Sequence, residues 1–199
     1  MVSCILLAAG ESARFGSPKP LARLGPLTVI ESILKNLLGT ALDEIILVLG
    51  ANAKEITAVL PPDKRLRAVT NEEFRQGQTL SFKKGLRALT PLSGGVMLLP
   101  VDMPCIRMET FDLLLKTFSK HPDRILIPSY RNKNGHPPIF PIVLKEEFLD
   151  LENTEPVSTI QRRHAEQILC FPVEDQGVVL SFNTPTEFQK VIKKISSGR

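Results

Sequence analysis

The chain has 199 residues with 25 Lys+Arg against 21 Asp+Glu, a formal charge of +4, and is 43 % hydrophobic and 23 % charged. That balance suits a folded protein with a sizeable core and excludes intrinsic disorder, and the length fits one large domain. The basic surplus is scattered rather than gathered in runs, so neither a nucleic-acid partner nor a membrane surface is expected.

Residues 2–7 read as a first strand, because the apolar opening is too short and lacks the basic start of a secretory signal. No window reaches the ~18 apolar residues of a membrane span, and a soluble, cytoplasmic protein is expected. A helix follows over residues 28–38, where Val29, Ile30, Ile33, Leu34, Leu37 and Leu38 share one stripe and Gly39 stops it. Strands are expected at 44–49, 66–70, 96–99, 125–127, 168–173 and 178–182. Helices are expected at 53–60, closed by Pro61 and Pro62, and at 80–89, 109–118 and 185–195. The last would bury Phe188, Val191, Ile192 and Ile195 on one face. Residues 130–157, rich in proline and polar side chains, read as an excursion from the sheet rather than a second domain.

Several of these strands are apolar on consecutive positions and therefore need cover on both faces. The expected architecture is a single-domain three-layer αβα sandwich around a mostly parallel, Rossmann-like sheet. The three cysteines, Cys4, Cys105 and Cys170, are odd in number and widely spaced. They read as free, buried thiols in a reducing compartment rather than disulfides or zinc ligands.

The strongest local signal follows the first strand: Leu7-Ala8-Ala9-Gly10-Glu11-Ser12-Ala13-Arg14-Phe15-Gly16-Ser17-Pro18-Lys19. Small residues and glycines let the backbone approach a bulky anion, and exposed N–H groups form a nest with fixed partial positive charge. Arg14 and Lys19 add a planar fork and a mobile point charge where a polyphosphate would lie. The spacing matches neither G-x-G-x-x-G nor a Walker loop. Further along, Gln78, Thr79 and Ser81 open a helix and can bond a base edge or a phosphate, although Thr79 could equally be a simple cap. Asp102, just past a buried strand, can hold Mg²⁺ or serve as a helix cap. Asn183 could contribute an amide oxygen to the same ion, or with Thr184 cap the last helix before Pro185.

The opening loop resembles the L-A-A-G-x-S-x-R-[FM]-G-x-x-K signature of nucleotidyltransferases, with every fixed position filled. Within that superfamily the chain is similar to the molybdenum cofactor cytidylyltransferases and their guanylyltransferase relatives. Residues 71–82 resemble N-x-x-[WF]-x-x-G-x-x-x-S-[LF], Leu98 to Pro104 carries the D-M-P metal motif, and residues 135–141 resemble G-H-P-V-L-F. The resemblance implies transfer of CMP from CTP to the phosphate of molybdopterin, with pyrophosphate released and Mg²⁺, or alternatively Mn²⁺, as cofactor. Its implied nucleotide contacts are Leu7, Ala8, Ala9, Gly10, Ser12, Arg14, Lys19, Asn71, Gln78, Thr79 and Ser81. Lys19, Arg14 and Asp102 would be catalytic, Asp102 and Asn183 would hold the metal, and Gly135 and His136 would face the acceptor.

Two departures stand out. Ser181 and Asn183 replace the aspartates of D-x-D-T-P, and residues 153–158 lack the family's G-D-x-G-A-R. They leave room for other phosphorylated acceptors, such as a sugar phosphate, or for a non-catalytic accessory role beside a molybdoenzyme or its chaperone. CTP is preferred to GTP on the methyl of Ala9, since guanylyl relatives carry glycine there and the methyl narrows the space for the base.

Overall fold

A computed structural model describes the backbone of residues 1–197 and the side chains of residues 1–194. In chain order the elements are β1 (Val2–Ala8), the small pair β2 (Arg23–Leu24) and β3 (Leu27–Thr28), α1 (Val29–Leu38), β4 (Glu44–Leu49), α2 (Ala53–Thr57) and β5 (Leu66–Thr70). Then come α3 (Gln78–Ala88), β6 (Gly95–Pro100), α4 (Met108–Lys120), β7 (Ile125–Tyr130), β8 (Lys133–Asn134) and β9 (Ile139–Pro141). Helices α5 (Lys145–Asp150) and α6 (Ser158–Arg163), strand β10 (Ile168–Pro172) and helix α7 (Pro185–Ser197) complete the chain.

The main sheet has eight strands in the order β10-β7-β9-β6-β1-β4-β5, with β8 paired to β7. β1 runs parallel to both β4 and β6, as β4 does to β5 and β7 to β10. The chain steps from β1 outward through β4 and β5, then returns to place β6 on the other side of β1. This reversal leaves a crevice at the carboxyl ends of β1 and β6, the switch point where open α/β sheets bind ligands.

Consecutive apolar residues divide between two cores. Cys4, Leu6, Ala8, Ile45, Leu47 and Leu49 face one side, with residues of α1, α2, α4 and α7. Ile5, Leu7, Ile46 and Val48 face the other, with Phe82 of α3, Phe148 of α5 and Ile160 of α6. A pleat that turns successive side chains to opposite faces therefore needs helices on both. The result is a single α/β domain with a mostly parallel sheet sandwiched between helices. α1 also carries a full capping box, in which Thr28 and Glu31 satisfy each other's backbone N–H groups.

Three expectations of secondary structure change, and one of burial. Residues 178–182 form no strand: Gln176–Val179 is a 3-10 turn, and Val178 and Phe182 are buried as isolated core side chains. The helix expected over 53–60 stops at Thr57. Residues 130–157 are not wholly outside the sheet, because β9 runs antiparallel between β6 and β7. Of the final helix's apolar face, Phe188 and Val191 are buried and Ile192 packs against them; the side chain of Ile195 lies outside the described residues. Cys4 is buried, with its thiol pKa pushed up by burial, and Cys105 is half-buried with a thiol pushed up to about 12, but Cys170 is exposed. Among the described residues, no helix is long and apolar enough to cross a membrane.

Candidate active site

The crevice between β1 and β6 holds a cleft of ≈ 270 Å³ lined by Leu7, Ala8, Ala9, Gly10, Ser12, Lys19, Pro20, Phe74, Gly77, Gln78, Ser81, Pro100, Val101 and Asp102. Its two halves are joined below by the Val101 N–H, which donates to the Leu7 carbonyl at 3.0 Å. Ser12 adopts a left-handed conformation at φ 57, and its hydroxyl accepts from the Lys19 N–H at 3.0 Å, so the loop curls back and brings Lys19 over the cleft. A Cβ built on Gly10 would meet nothing within 4 Å, which leaves its backbone open to a ligand.

Lys19 Nζ lies 3.8 Å from Asp102 Oδ2, with side-chain exposures of 14 % and 21 %. It also donates to Asn183 Oδ1 at 2.9 Å, and Arg14 Nη2 donates to the same oxygen at 3.2 Å. Burial lowers the Lys19 pKa, with Asp102 opposing that shift. Burial raises the Asp102 pKa, held back by Lys19 and then His136. Each charge is thus the main support of the other in a partly dry cleft.

Asn183 is placed by an aromatic cluster. Phe182 packs on Phe15 from the opening loop and on Phe188 from α7, with ring centroids 5.4 and 4.6 Å away, and Phe15 meets Phe188 at 5.5 Å. The Phe182 N–H donates to the Asp102 carbonyl at 3.1 Å. Glu187 accepts from the N–H groups of Asn183 and Thr184, closing the start of α7. The 182–187 segment is therefore fastened to both walls of the cleft.

Not every residue singled out by sequence meets the cleft. Asn71 is 0 % exposed and does not line the cleft; its amide donates to Ser81 Oγ at 3.0 Å and accepts from the Glu73 N–H, so it braces the floor beneath Ser81. Thr79 is buried and donates to the Glu155 carbonyl, lining a neighbouring hollow rather than the cleft. Gly135 cannot carry a side chain, since a Cβ there would lie 2.2 Å from the Val178 carbonyl oxygen, and it is a packing residue first. His136 does lie near Asp102, at the boundary of two hollows; burial lowers its pKa, and its Nδ1 is buried without a hydrogen-bond partner among the described residues. Gln78 lines the cleft and both hollows.

Other groups escaped the sequence reading. Asp175 is buried and accepts from the Arg107 N–H at 2.9 Å, the Thr110 hydroxyl at 2.7 Å and the Gly177 N–H at 2.8 Å, tying the 175–182 loop to the start of α4. Its only signal was D-x-G, an Asx-turn pattern. Lys83, also buried, donates to the Leu151 carbonyl and Asn153 Oδ1 and straps the 151–155 loop onto α3. Arg75 and Glu11 form an exposed pair at 2.7 Å across the cleft mouth.

Among the described residues, no three His, Cys, Asp or Glu side chains converge as a metal site. Mg²⁺ that arrives with a nucleotide needs only one or two carboxylates beside phosphate oxygens and waters. Asp102 supplies one in the cleft and so fits. The Asn183 oxygen lies on the same cluster, where it accepts from Lys19 and Arg14.

Comparison with known proteins accords with this geometry. The family model for the MobA-like NTP transferase domain matches residues 4–168. The chain is 25 % identical over 94 % of its length to the molybdenum cofactor cytidylyltransferase of Escherichia coli K12, covering 93 % of that protein. It is 30 % identical to a probable molybdenum cofactor guanylyltransferase of Bacillus cereus, over 61 % of this chain and 59 % of that one. It is also 30 % identical to the nicotine blue oxidoreductase of Paenarthrobacter nicotinovorans, over 68 % of this chain and 69 % of that one. Among solved structures, Rv0371c of Mycobacterium tuberculosis H37Rv has the same fold, with a TM-score of 0.82 at 23 % identity over 96 % of this chain and 97 % of that one. A second Rv0371c structure, described as a complex with manganese, matches with a TM-score of 0.77 at 21 % identity over the same shares. The chain belongs to the MobA-like NTP transferase family, as a nucleotidyltransferase related to the molybdenum cofactor cytidylyl- and guanylyltransferases.

Proposed function

We propose that the protein transfers CMP from CTP to the phosphate of molybdopterin and releases pyrophosphate. The observation that supports this most is the shared cleft, lined by the open backbone at Gly10 together with the Lys19 ammonium and the Asp102 carboxylate, which lie 3.8 Å apart. An acceptor phosphate oxygen would form a bond to the α-phosphorus while the bond from that phosphorus to the α–β bridging oxygen breaks, leaving pyrophosphate. A phosphomonoester with a second pKa near ~6 is already largely ionised at neutral pH, so no strong base is required. Catalysis then rests on positioning and on neutralising charge as it develops.

In this reading the Ala8 to Ser12 backbone cradles the nucleotide. Lys19 and Arg14 take up charge on the β- and γ-phosphates, and Gln78, at the meeting point of cleft and hollows, orients the acceptor against the α-phosphate. Asp102 would hold Mg²⁺, or Mn²⁺, and the ion would polarise phosphoryl oxygens. The methyl of Ala9, on the cleft wall, supports the smaller pyrimidine. His136, beside Asp102, would meet the acceptor as a neutral imidazole. A recipient molybdoenzyme or its chaperone would take the product.

The test is anaerobic pyrophosphate release with CTP or GTP, Mg²⁺ or Mn²⁺, and molybdopterin or a panel of phosphorylated acceptors. CTP with molybdopterin should turn over fastest, with the CMP-bearing product identified by mass. Faster turnover with GTP or with a sugar phosphate reassigns the substrate, and triphosphate binding without pyrophosphate release from any pair removes the transferase reading.

A further inference from the structure

Lys83 of α3 is 8 % exposed and forms no ion pair among the described residues. A buried ammonium without a carboxylate is costly, so its donors must find other acceptors. They reach the loop after α5: Nζ donates to the Leu151 carbonyl and to Asn153 Oδ1 at 3.3 Å. Because a lysine can only donate, it fixes which way the Asn153 amide points. The Asn153 amide nitrogen donates in turn to Gln76 Oε1 at 2.9 Å, and the Gln76 amide nitrogen donates to Glu73 Oε1 at 2.8 Å. This relay has a pure donor at one end and a carboxylate at the other, so its polarity is set along its whole length. The Thr79 hydroxyl adds a bond to the Glu155 carbonyl.

The fastened loop is one wall of a hollow of ≈ 500 Å³ that meets the cleft at Gly77 and Gln78. Residues 153–158, where G-D-x-G-A-R is absent, all line it, and no lysine or arginine does. Its one carboxylate, Glu155, accepts from the Glu152 N–H at 2.8 Å and lies 3.6 Å from Arg163, while burial lowers the pKa of His136. The side chains of Gln78, Thr154 and Gln161 make no hydrogen bond within the described residues, and Leu98, Pro138 and Val157 add apolar surface. We propose that Lys83 is a positioning residue that holds this wall, and that the hollow seats the uncharged part of the phosphorylated acceptor, a heterocyclic ring edged with donors and acceptors. Apolar surface suits the faces of such a ring and unengaged amides suit its edge. A second anionic group would find no cation among the lining residues and would meet Glu155. The inference rests on the transferase reading, which puts the acceptor phosphate in the cleft, but its test does not need turnover.

At neutral pH 6-hydroxymethylpterin is uncharged, and pterin-6-carboxylate is the same ring with one negative charge. The chain has no tryptophan and one tyrosine, so quenching of pterin fluorescence can be followed cleanly. Both probes are titrated into the unmodified chain, Lys83→Met and Gln161→Arg, and calorimetry with α,β-methylene-CTP gives the triphosphate affinity of each. The unmodified chain should bind the uncharged pterin at least about tenfold more tightly than the carboxylate, and Gln161→Arg should reverse that preference. Lys83→Met, which keeps the apolar stem, should weaken the uncharged pterin about tenfold and hold the α,β-methylene-CTP affinity within about threefold. Distortion of α3 as a whole would weaken both, because Gln78 and Ser81 of that helix line the cleft. Overturning results are no binding of either pterin, equal affinity for the two, displacement of the pterin by equimolar glucose, a preference unaltered in Gln161→Arg, or an unchanged pterin affinity in Lys83→Met. If Lys83→Met does not fold, the preference of the unmodified chain and its reversal in Gln161→Arg decide. Pyrophosphate release without pterin selectivity removes only this inference, whereas pterin selectivity without pyrophosphate release from any substrate pair removes the transferase reading instead.

Discussion

Replacing Lys19 by methionine isolates the charge that the mechanism places on the leaving group, because the apolar stem beside Phe182 is kept while the ammonium is lost. A unit charge about 4 Å from a phosphate oxygen, at the effective dielectric of a partly exposed site, is worth about 4 kcal/mol gross. Part of this is already realised in the free protein, where Nζ sits 2.9 Å from Asn183 Oδ1 and 3.8 Å from Asp102 Oδ2. The difference approaches the cost of removing one preorganised donor from a transition state, about 2.7–4 kcal/mol, or roughly 10²–10³ in turnover. The loss should fall mainly on kcat, since charge on the departing pyrophosphate grows only as the bond breaks.

A second signature follows from electrostatics. Asp102 is held up by burial and held down chiefly by Lys19, so without the ammonium its pKa rises further and the acid limb of the pH–rate profile moves to higher pH. Steady-state pyrophosphate release across neutral pH, with thermal unfolding as the folding control, measures both effects. A loss below about fivefold in a folded variant, or an acid limb that moves downward, refutes the assignment of Lys19 and the mutual support of the two charges.

Asp102→Asn should lower turnover by at least about a hundredfold without lowering the unfolding midpoint at neutral pH. The sign comes from linkage: a carboxyl whose pKa is raised in the fold costs stability once the pH exceeds the ordinary aspartate value, and an amide does not carry that cost. A clear drop in the midpoint would show that Lys19 stabilises the fold more than burial of Asp102 opposes it. Gly77→Ala places a side chain at φ 114 and ψ 174, a region open essentially to glycine alone, and should cost about 1–3 kcal/mol in urea unfolding while raising KM for the nucleotide. Asp175→Ala leaves three buried or half-buried donors without their acceptor and should cost about 3 kcal/mol by chemical denaturation, with thermal midpoints as a cross-check; a cost below about 1 kcal/mol would mean that water replaces the carboxylate.

The parallel core was legible because apolar residues on consecutive positions can be buried only between two helical layers, and β1, β4 and β6 all carry that pattern. β9 was not. Its three residues, Ile139–Pro141, lie among prolines, and their strand character comes from pairing with β6 and β7, a partnership invisible from within the segment. Residues 178–182 failed in the opposite way, since Val178 and Phe182 are apolar for reasons of core filling while the backbone between them turns. At the site, the meeting of the opening loop and Asp102 on one cleft could be read from letter and position together. The burial of Asn71 could not, because an asparagine that braces a floor and one that lines a cleft look alike in sequence; the bond to Ser81 is visible only in the fold. The same holds for Asn183, whose motif carries an oxygen but does not say which cation it faces.

The joining of Phe15 to Phe182 and Phe188 links the first turn of the chain to its last helix. During synthesis, β1, β4 and β6 can pair long before α7 leaves the ribosome, but Lys19 and Arg14 then have no Asn183 between them. The cluster of Lys19, Arg14 and Asn183 is therefore completed only after the sheet has its strands, as a consequence of where residues 182–188 fall in the chain.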